Sequence, residues 1–217
     1  MTMTDDMVTY YARRAAEYDR VYEIPQWQRD LETLGTRVPA FFDGRRVFEV
    51  ACGTGYWTRY AALQALSVDA TDVNEDTLVI ARARHYARAA VTFTRIDAYT
   101  MPGHGKTFDA GFAAFWLSHV DAGRRRDFLD AFHARLQSGS PVLMFDERST
   151  AGRGLRTSRT DATGNRYEMR SLLNGERFEI IKNFYSGEQL EELFSRYGHE
   201  CSYEELENFW VFSYRVT

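Results

Sequence analysis

The sequence of 217 residues predicts one α/β domain with a doubly wound, mostly parallel sheet. Short runs rich in β-branched and aromatic residues alternate with longer stretches in which apolar residues recur every three or four positions. The short runs predict strands over residues 47–51, 68–72, 91–95, 108–114 and 141–147. The longer stretches predict helices over residues 59–66, 75–87 and 124–136. Sheets of this kind bind ligands at the carboxyl ends of their strands.

The last third of the chain departs from this alternation. A loop rich in Arg, Thr, Ser and Gly is expected after residue 147 and through Asn165. Two strands over 167–172 and 177–182 flank Asn174 and Gly175, which predicts a hairpin. A helix over 186–197 precedes two final strands, 200–204 and 209–214, joined by a short turn. We therefore expect an antiparallel terminal strand and an insertion, made of a loop and a β-hairpin, over residues 150–184.

The first forty residues are expected to form a helical cap on the domain, which spans residues 1–217. Residues 10–19 predict a helix, with Tyr11, Ala15 and Tyr18 at helical spacing. The alternative is a packing helix whose tyrosines lie at the edge of the core. With four prolines and no linker rich in Gly or Ser, the chain shows no domain boundary.

Composition narrows the class of protein. Hydrophobic residues make up 44% of the chain, which excludes global disorder. A net charge of −4 argues against a nucleic-acid partner. Two cysteines cannot form a disulfide scaffold, and no stretch of about 18 apolar residues indicates a membrane span. We expect a cytoplasmic protein, monomeric or homodimeric, and no metal site, because histidines and carboxylates lack the spacing of ligands.

The most informative segment is the turn that follows the first predicted strand. Gly53 and Gly55 allow a ligand to approach the backbone closely where a helix begins. Asp72 ends the second predicted strand, where a carboxylate can accept hydrogen bonds from a ribose, and Asp97 follows the third. Together these residues predict a nucleotide-type cofactor. Taken singly, each has a structural alternative: a tight turn without ligand, a helix N-cap at Asp72, or a loop cap at Asp97.

A dinucleotide site would favour a third glycine where this chain has Thr58. The segment Glu49-Val50-Ala51-Cys52-Gly53-Thr54-Gly55 instead resembles the first motif of class I S-adenosylmethionine-dependent methyltransferases, E/D-x-G-x-G-x-G, with Ala51 in the place of its first glycine. The resemblance extends from about Tyr10 to the end of the chain. It implies a Rossmann-like fold, S-adenosylmethionine as cofactor and S-adenosylhomocysteine as product.

The resemblance also implies roles for particular residues. Glu49 would lie near the methionine amino group, the turn would cradle the methionine part, and Asp72 would hold the ribose. The expected cofactor-binding residues are Glu49, Ala51, Gly53, Gly55, Asp72, Val73, Asp97, Ala98 and Tyr18. Aromatic walls suit a sulfonium cation, and the expected substrate-binding residues are Tyr11, Trp57 and Trp116.

Methyl transfer is a displacement that depends on alignment, and it needs a base only when the acceptor must lose a proton. His119, beyond the fourth predicted strand, is the expected catalytic residue, since an ordinary imidazole accepts a proton at neutral pH. Its alternative is a loop cap or a partner of Asp121. Residues 152–182 carry seven cationic and four anionic side chains. This excess fits a lid over an anionic substrate, although we favour an ordinary solvated hairpin.

The sequence therefore predicts an enzyme that transfers a methyl group from S-adenosylmethionine to an oxygen, nitrogen or carbon atom of a small metabolite. One alternative is an NAD(P)-dependent oxidoreductase, which Thr58 disfavours. A second is a binding module that holds S-adenosylmethionine without chemistry. A third, a nucleic-acid methyltransferase, lacks support because Phe112-Ala113-Ala114-Phe115 does not match the N/D-P-P-Y/F motif.

Overall fold

The computed structural model describes residues 3–101, 107–149 and 157–217. Its helices are α1 (Met3–Arg14), α2 (Gln28–Phe41), α3 (Thr58–Ala61), α4 (Glu75–Ala83), α5 (Arg125–His133) and α6 (Gly187–Phe194). Its strands are β1 (Arg46–Val50), β2 (Ser67–Asp72), β3 (Ala90–Arg95), β4 (Ala110–Ala114), β5 (Pro141–Glu147), β6 (Thr157–Thr160), β7 (Arg166–Ser171), β8 (Arg177–Ile181), β9 (Gly198–Glu205) and β10 (Phe209–Val216).

Seven of these strands form one sheet, in the order β3-β2-β1-β4-β5-β10-β9. The pairs among the first five are parallel, whereas β10 runs antiparallel to both of its neighbours, β5 and β9. The predicted doubly wound sheet with an antiparallel terminal strand is thus confirmed. The strand order reverses at β1 and β4, which is where ligands bind in sheets of this kind.

Both faces of the sheet are covered, as parallel sheets require. On one face, Phe48 packs with Phe128 and Phe132 of α5 and Phe194 of α6. On the other face, Val47 packs in a second apolar cluster with side chains of α2 and α3. The two β1 side chains point to opposite faces because successive residues of a strand alternate. Burial on both sides fixes the register of the strands and hence the positions of their carboxyl ends.

The insertion differs from its prediction at one element. The predicted loop contains strand β6, which pairs with β7, and β7 pairs in turn with β8. Its composition of Thr, Ser and Arg is typical of loops, but cross-strand contacts stabilise it. Ser158 and Arg159 hydrogen-bond Glu179 at 2.7 and 2.8 Å, and Arg159 also lies over the Tyr167 ring. The predicted stretch 150–156, with Arg153 and Arg156, lies outside the described residues.

The N-terminal segment lies against this insertion. Met7 and Tyr10 of α1 pack with Leu172 and Ile180. A 3₁₀ helix, Ala15–Glu23, then leads towards α2. None of the helices within the described ranges is long and apolar enough to cross a membrane.

Candidate active site

A cavity lies at the carboxyl ends of β1, β2 and β4, and we call it the cofactor cavity. Side chains of α1 and the 3₁₀ segment that follows form its opposite wall. The structure brings the following predicted residues together in its lining: Tyr11, Tyr18, Ala51, Gly53, Asp72, Val73, Asp97, Ala98, Trp116 and His119. Five segments far apart in sequence therefore converge on one site.

The turn after β1 has an unusual backbone. Ala51, Gly53 and Gly55 all have positive φ, at 53°, 56° and 74°. A Cβ atom on Gly53 would meet no atom within 4 Å, so this glycine leaves open space in the cavity that it lines. A Cβ atom on Gly55 would lie 2.5 Å from the Tyr86 hydroxyl. Gly53 thus faces the cavity, whereas Gly55 permits close packing against α4.

Asp72 connects this turn to the end of β2. Its Oδ2 accepts a hydrogen bond from the Gly53 amide at 2.9 Å, and its Oδ1 accepts one from the Asn74 amide at 2.8 Å. Burial raises the pKa of Asp72, and these two backbone donors lower it. Each carboxylate oxygen has a second lone pair, so the group can bind a ligand hydroxyl without giving up either amide.

Asp97 lies on the adjacent wall, beyond the end of β3. Its Oδ1 accepts a hydrogen bond from the Tyr99 amide at 2.8 Å, so it does cap the loop that follows. Ala98 and Val73, which complete this side, also line the cavity. The alternative interpretation as a loop cap therefore describes part of what Asp97 does, whereas the N-cap of α4 is Asn74 and not Asp72. Both carboxylates also face the cavity.

Three predicted residues lie outside the lining: Glu49, Gly55 and Trp57. Glu49 is 1% exposed beneath the turn, and its Oε2 has no hydrogen-bond partner among the described residues. Burial raises the pKa of Glu49 to about 8, and the nearby Asp72 carboxylate adds to the effect. Trp57 was expected in a substrate wall, but its ring packs 4.8 Å from Phe145 in the core. The prediction for Trp57 is wrong because this residue is the N-cap of α3, where the backbone directs its side chain at the sheet and away from the cavity.

His119 is buried beside Tyr11 and β8. Its Nδ1 lies 2.6 Å from the Ile181 carbonyl oxygen, which can only accept, so Nδ1 carries the proton and donates it. Nε2 is then the acceptor for the Tyr11 hydroxyl at 2.9 Å. Burial lowers the pKa of His119 to about 3, and the charge of Lys182 lowers it further. Both ring nitrogens are thus engaged, and the imidazole is neutral at physiological pH.

A second cavity of about 710 Å³ adjoins the first, and we call it the acceptor cavity. The two share Tyr11, Tyr18, Phe115 and His119. The charged residues that line the acceptor cavity are Arg14, Arg20, Arg148, Arg166, Arg170, Lys182, Glu147 and Glu168. Six cations and two carboxylates give this lining an excess of positive charge.

Several of these residues carry no distinctive signal in the sequence. Phe115 lines both cavities and has φ of 55°, a left-handed conformation that is rare outside glycine. The only sequence signal for Phe115 was its place at the end of the fourth predicted strand. Lys182 is 2% exposed and contacts Asp146 and Glu147 at 3.2 and 2.9 Å. In the sequence, Lys182 is one of several cationic residues of the insertion, and nothing there marks it as buried.

Comparison with known proteins agrees with this geometry. Residues 47–139 match the family model described as a methyltransferase domain. The structure is similar to DhpI in complex with SAH, with 28% identity, a TM-score of 0.79, and coverage of 98% of this chain and 96% of that one. It is also similar to a DhpI complex with SAM and HEP, with 26% identity, a TM-score of 0.80, and coverage of 99% and 100%.

A curated relative is the demethylmenaquinone methyltransferase of Clavibacter sepedonicus, which is 30% identical over 109 residues. That match covers 50% of this chain and 44% of the relative, so it spans less than half of the relative's length. The domain match, the two DhpI complexes and the cofactor cavity all support the same conclusion. Residues 47–139 form a methyltransferase domain, and the chain as a whole is similar in structure to proteins that hold SAH and SAM.

Proposed function

We propose that this protein binds S-adenosylmethionine in the cofactor cavity and transfers its methyl group to a small molecule in the acceptor cavity. The observation that carries the proposal is the continuity of the two cavities through Tyr11, Tyr18, Phe115 and His119. A methyl group can pass between two ligands only where their sites meet. S-adenosylmethionine supplies an electrophilic methyl group when bound, and the protein supplies the alignment.

The residues of the cofactor cavity fit this ligand. The open space beside Gly53 gives room against the backbone, and the Asp72 carboxylate suits ribose hydroxyl groups. The rings of Tyr11, Tyr18 and Phe115 meet at the junction of the cavities. Aromatic faces attract cations, so this junction suits a sulfonium centre. The same rings exclude water from the path of transfer.

We assign His119 a positioning role in place of the expected role as a base. Its Nε2 accepts a hydrogen bond from Tyr11, and its Nδ1 donates one to Ile181, so it links α1 to the insertion. A group with a pKa of about 3 is a weak base at neutral pH. His119 therefore holds the Tyr11 ring at the junction.

The acceptor is proposed to be a small molecule because of the size of its cavity. A volume of about 710 Å³ falls within the range of typical small-molecule sites, roughly 300–1,000 Å³. The DhpI complex with SAM and HEP supports the same arrangement, since it is a relative bound to the cofactor and a second ligand.

Calorimetric titration with S-adenosylhomocysteine tests the cofactor site. We expect Asp72→Ala to weaken binding at least tenfold, about 1.4 kcal/mol, because it removes the ribose partner. Asp76→Ala, an exposed change in the next helix, is the matched control and should leave the dissociation constant unchanged. A folded Asp72→Ala protein with wild-type affinity would contradict the assignment, and tight binding of NADH instead would favour an oxidoreductase.

A further inference from the structure

We infer that the acceptor is an ionised oxyacid, bound by Arg14 and Arg170, and that transfer to its oxygen forms a methyl ester. This inference rests on the proposed function, because it names the class of substrate for the same two cavities.

Three of the six cations in the lining have acidic partners. Lys182 contacts both Asp146 and Glu147, Arg148 forms an ion pair with Glu205, and Arg170 forms one with Glu168. Lys182 and Arg148 hold the fold together and contribute little free positive charge. The charge available to a ligand therefore lies elsewhere in the lining.

Of the other lining cations, Arg20 and Arg166 are exposed, whereas Arg14 and Arg170 are partly buried and have donors left for a ligand. Arg14 lies over the rings of Tyr10 and Tyr18 and donates to the Tyr10 hydroxyl at 2.9 Å, but it forms no ion pair with a carboxylate in the described part of the chain. Arg170 donates from Nη2 to Glu168 at 2.5 Å, while its buried Nε donates to no described group. A guanidinium with spare donors is well suited to the oxygens of an oxyanion.

The Arg14 guanidinium lies close to the junction of the cavities, and Arg170 lines the acceptor cavity that adjoins it. The Arg14 guanidinium carbon is 5.4 Å from the centre of the Tyr18 ring, which lines both cavities. Burial raises the pKa of Tyr11, whereas the charges of Arg170 and Arg14 lower it. The two arginines therefore act on the ring beside which the methyl group would pass.

Among the described residues of this junction, each acid–base group considered as a base already has a hydrogen-bond or ion-pair partner. The two nitrogens of His119 are engaged by Tyr11 and Ile181. The carboxylates of the cavity are paired, Glu147 with Lys182 and Glu168 with Arg170. An alcohol or phenol would have to lose its proton near the transition state. An oxyacid is already ionised at neutral pH and needs no base.

The proposed step balances without a proton. An oxygen lone pair of the oxyanion forms the new O–CH₃ bond, and the S–CH₃ bond breaks with its electron pair remaining on sulfur. The sulfonium cation and the oxyanion become a neutral thioether and an ester that has lost one negative charge. Opposite charges attract in the ground state, and the two arginines direct the anion to the junction.

The test compares anions with neutral molecules that carry the same ring. Benzoate is titrated against benzamide, and phenyl phosphate against phenol, into protein saturated with S-adenosylhomocysteine. We expect each anion to bind at least tenfold more tightly than its neutral counterpart. A preference confined to benzoate would identify a carboxylate site, and one confined to phenyl phosphate would identify a phosphate-type site.

Variants test whether the arginines are responsible. Arg14→Met and Arg170→Lys should each weaken anion binding at least fivefold and change the affinity for S-adenosylhomocysteine by less than twofold. Arg170→Lys retains a positive charge beside buried Glu168, which protects the fold. Arg177→Met, exposed on β8, is the control and should have no effect.

Equal binding of anion and neutral molecule, no binding of either, or wild-type anion affinity in both arginine variants would overturn the inference. A protein that does not bind S-adenosylhomocysteine at all would instead reject the proposed function. The two failures are therefore distinguishable.

Discussion

Glu49 illustrates at the residue scale how a buried carboxyl group makes stability depend on pH. Its pKa is about 8 in the folded protein, against an ordinary value of 4.5. The folded state therefore keeps a proton that the unfolded state loses, and the free energy of unfolding falls as the pH rises from 4.5 to 8. A buried carboxyl group at this position costs stability at neutral pH.

We expect Glu49→Gln to remove this cost. At pH 8 the variant should be more stable than the wild type by about 1–3 kcal/mol, because an amide does not ionise. The gain should disappear near pH 4, where wild-type Glu49 is protonated in both states. Urea denaturation at the two pH values measures the difference. Glu32→Gln, exposed on α2, is the control, and a gain of equal size at both pH values would refute the explanation.

Other residues show which parts of the site could be predicted from the sequence. Gly53 and Asp72 could be assigned to the cavity because they lie at the carboxyl ends of two predicted parallel strands, and such ends meet at one edge of the sheet. Trp57 was assigned to the wrong environment, since the direction of a side chain at the start of a helix depends on what packs beneath it. The pKa of His119 depends on Ile181 and Lys182, which are 62 and 63 residues away in sequence.

At the scale of elements, substitutions of glycine in two turns distinguish the effect of backbone strain from the effect of ligand contact. The first is in the turn between β1 and α3. We expect Gly53→Ala to weaken binding of S-adenosylhomocysteine at least tenfold, because the new methyl group would project into the cavity. The positive φ of 56° adds roughly 1 kcal/mol of strain. Calorimetry measures the affinity, and thermal unfolding measures the strain.

Gly44 provides a matched control in the turn between α2 and β1. Its φ is 68°, and a Cβ atom there would also meet nothing within 4 Å. Gly44→Ala should therefore carry a similar strain and bind S-adenosylhomocysteine like the wild type. Equal affinities of the Gly53→Ala and Gly44→Ala proteins would show that the turn does not contact the ligand.

The elements themselves were predicted unequally. Strands β1, β4 and β5 were found because burial on both faces produces continuous apolar runs, as in β5, which has the predicted bounds. The mostly exposed edge strand β3 was found from its β-branched and aromatic residues. Helices α3 to α6 are shorter than expected; α3 ends at Ala61, not at residue 66. Strand β6 was missed because polar partners on β8 stabilise it, and no local pattern of hydrophobic residues marks such pairing.

At the scale of the whole molecule, a polar contact joins the N-terminal segment to the parallel sheet. Asp19, in the 3₁₀ helix after α1, accepts a hydrogen bond from the Thr54 hydroxyl at 2.6 Å. Arg84, at the end of α4, forms an ion pair with Asp19 and donates from Nε to the Thr54 carbonyl oxygen at 2.5 Å. The segment that carries Tyr11 and Tyr18 is thereby fastened to the turn of the cofactor cavity.

Loss of this contact should loosen the N-terminal segment without unfolding the sheet. In Arg84→Met we expect amide hydrogen exchange over residues 10–23 to quicken at least tenfold, about 1.4 kcal/mol of local stability. Exchange in β1, β4 and β5 should stay unchanged, because their burial does not depend on Arg84. S-adenosylhomocysteine should dissociate faster, since Tyr18 closes the cavity from this segment.

Arg82→Met, which removes an exposed pair with Glu75 on the same helix, is the control. If residues 10–23 exchange alike in both variants, the position of the segment depends on its apolar contacts with Leu172 and β8 instead.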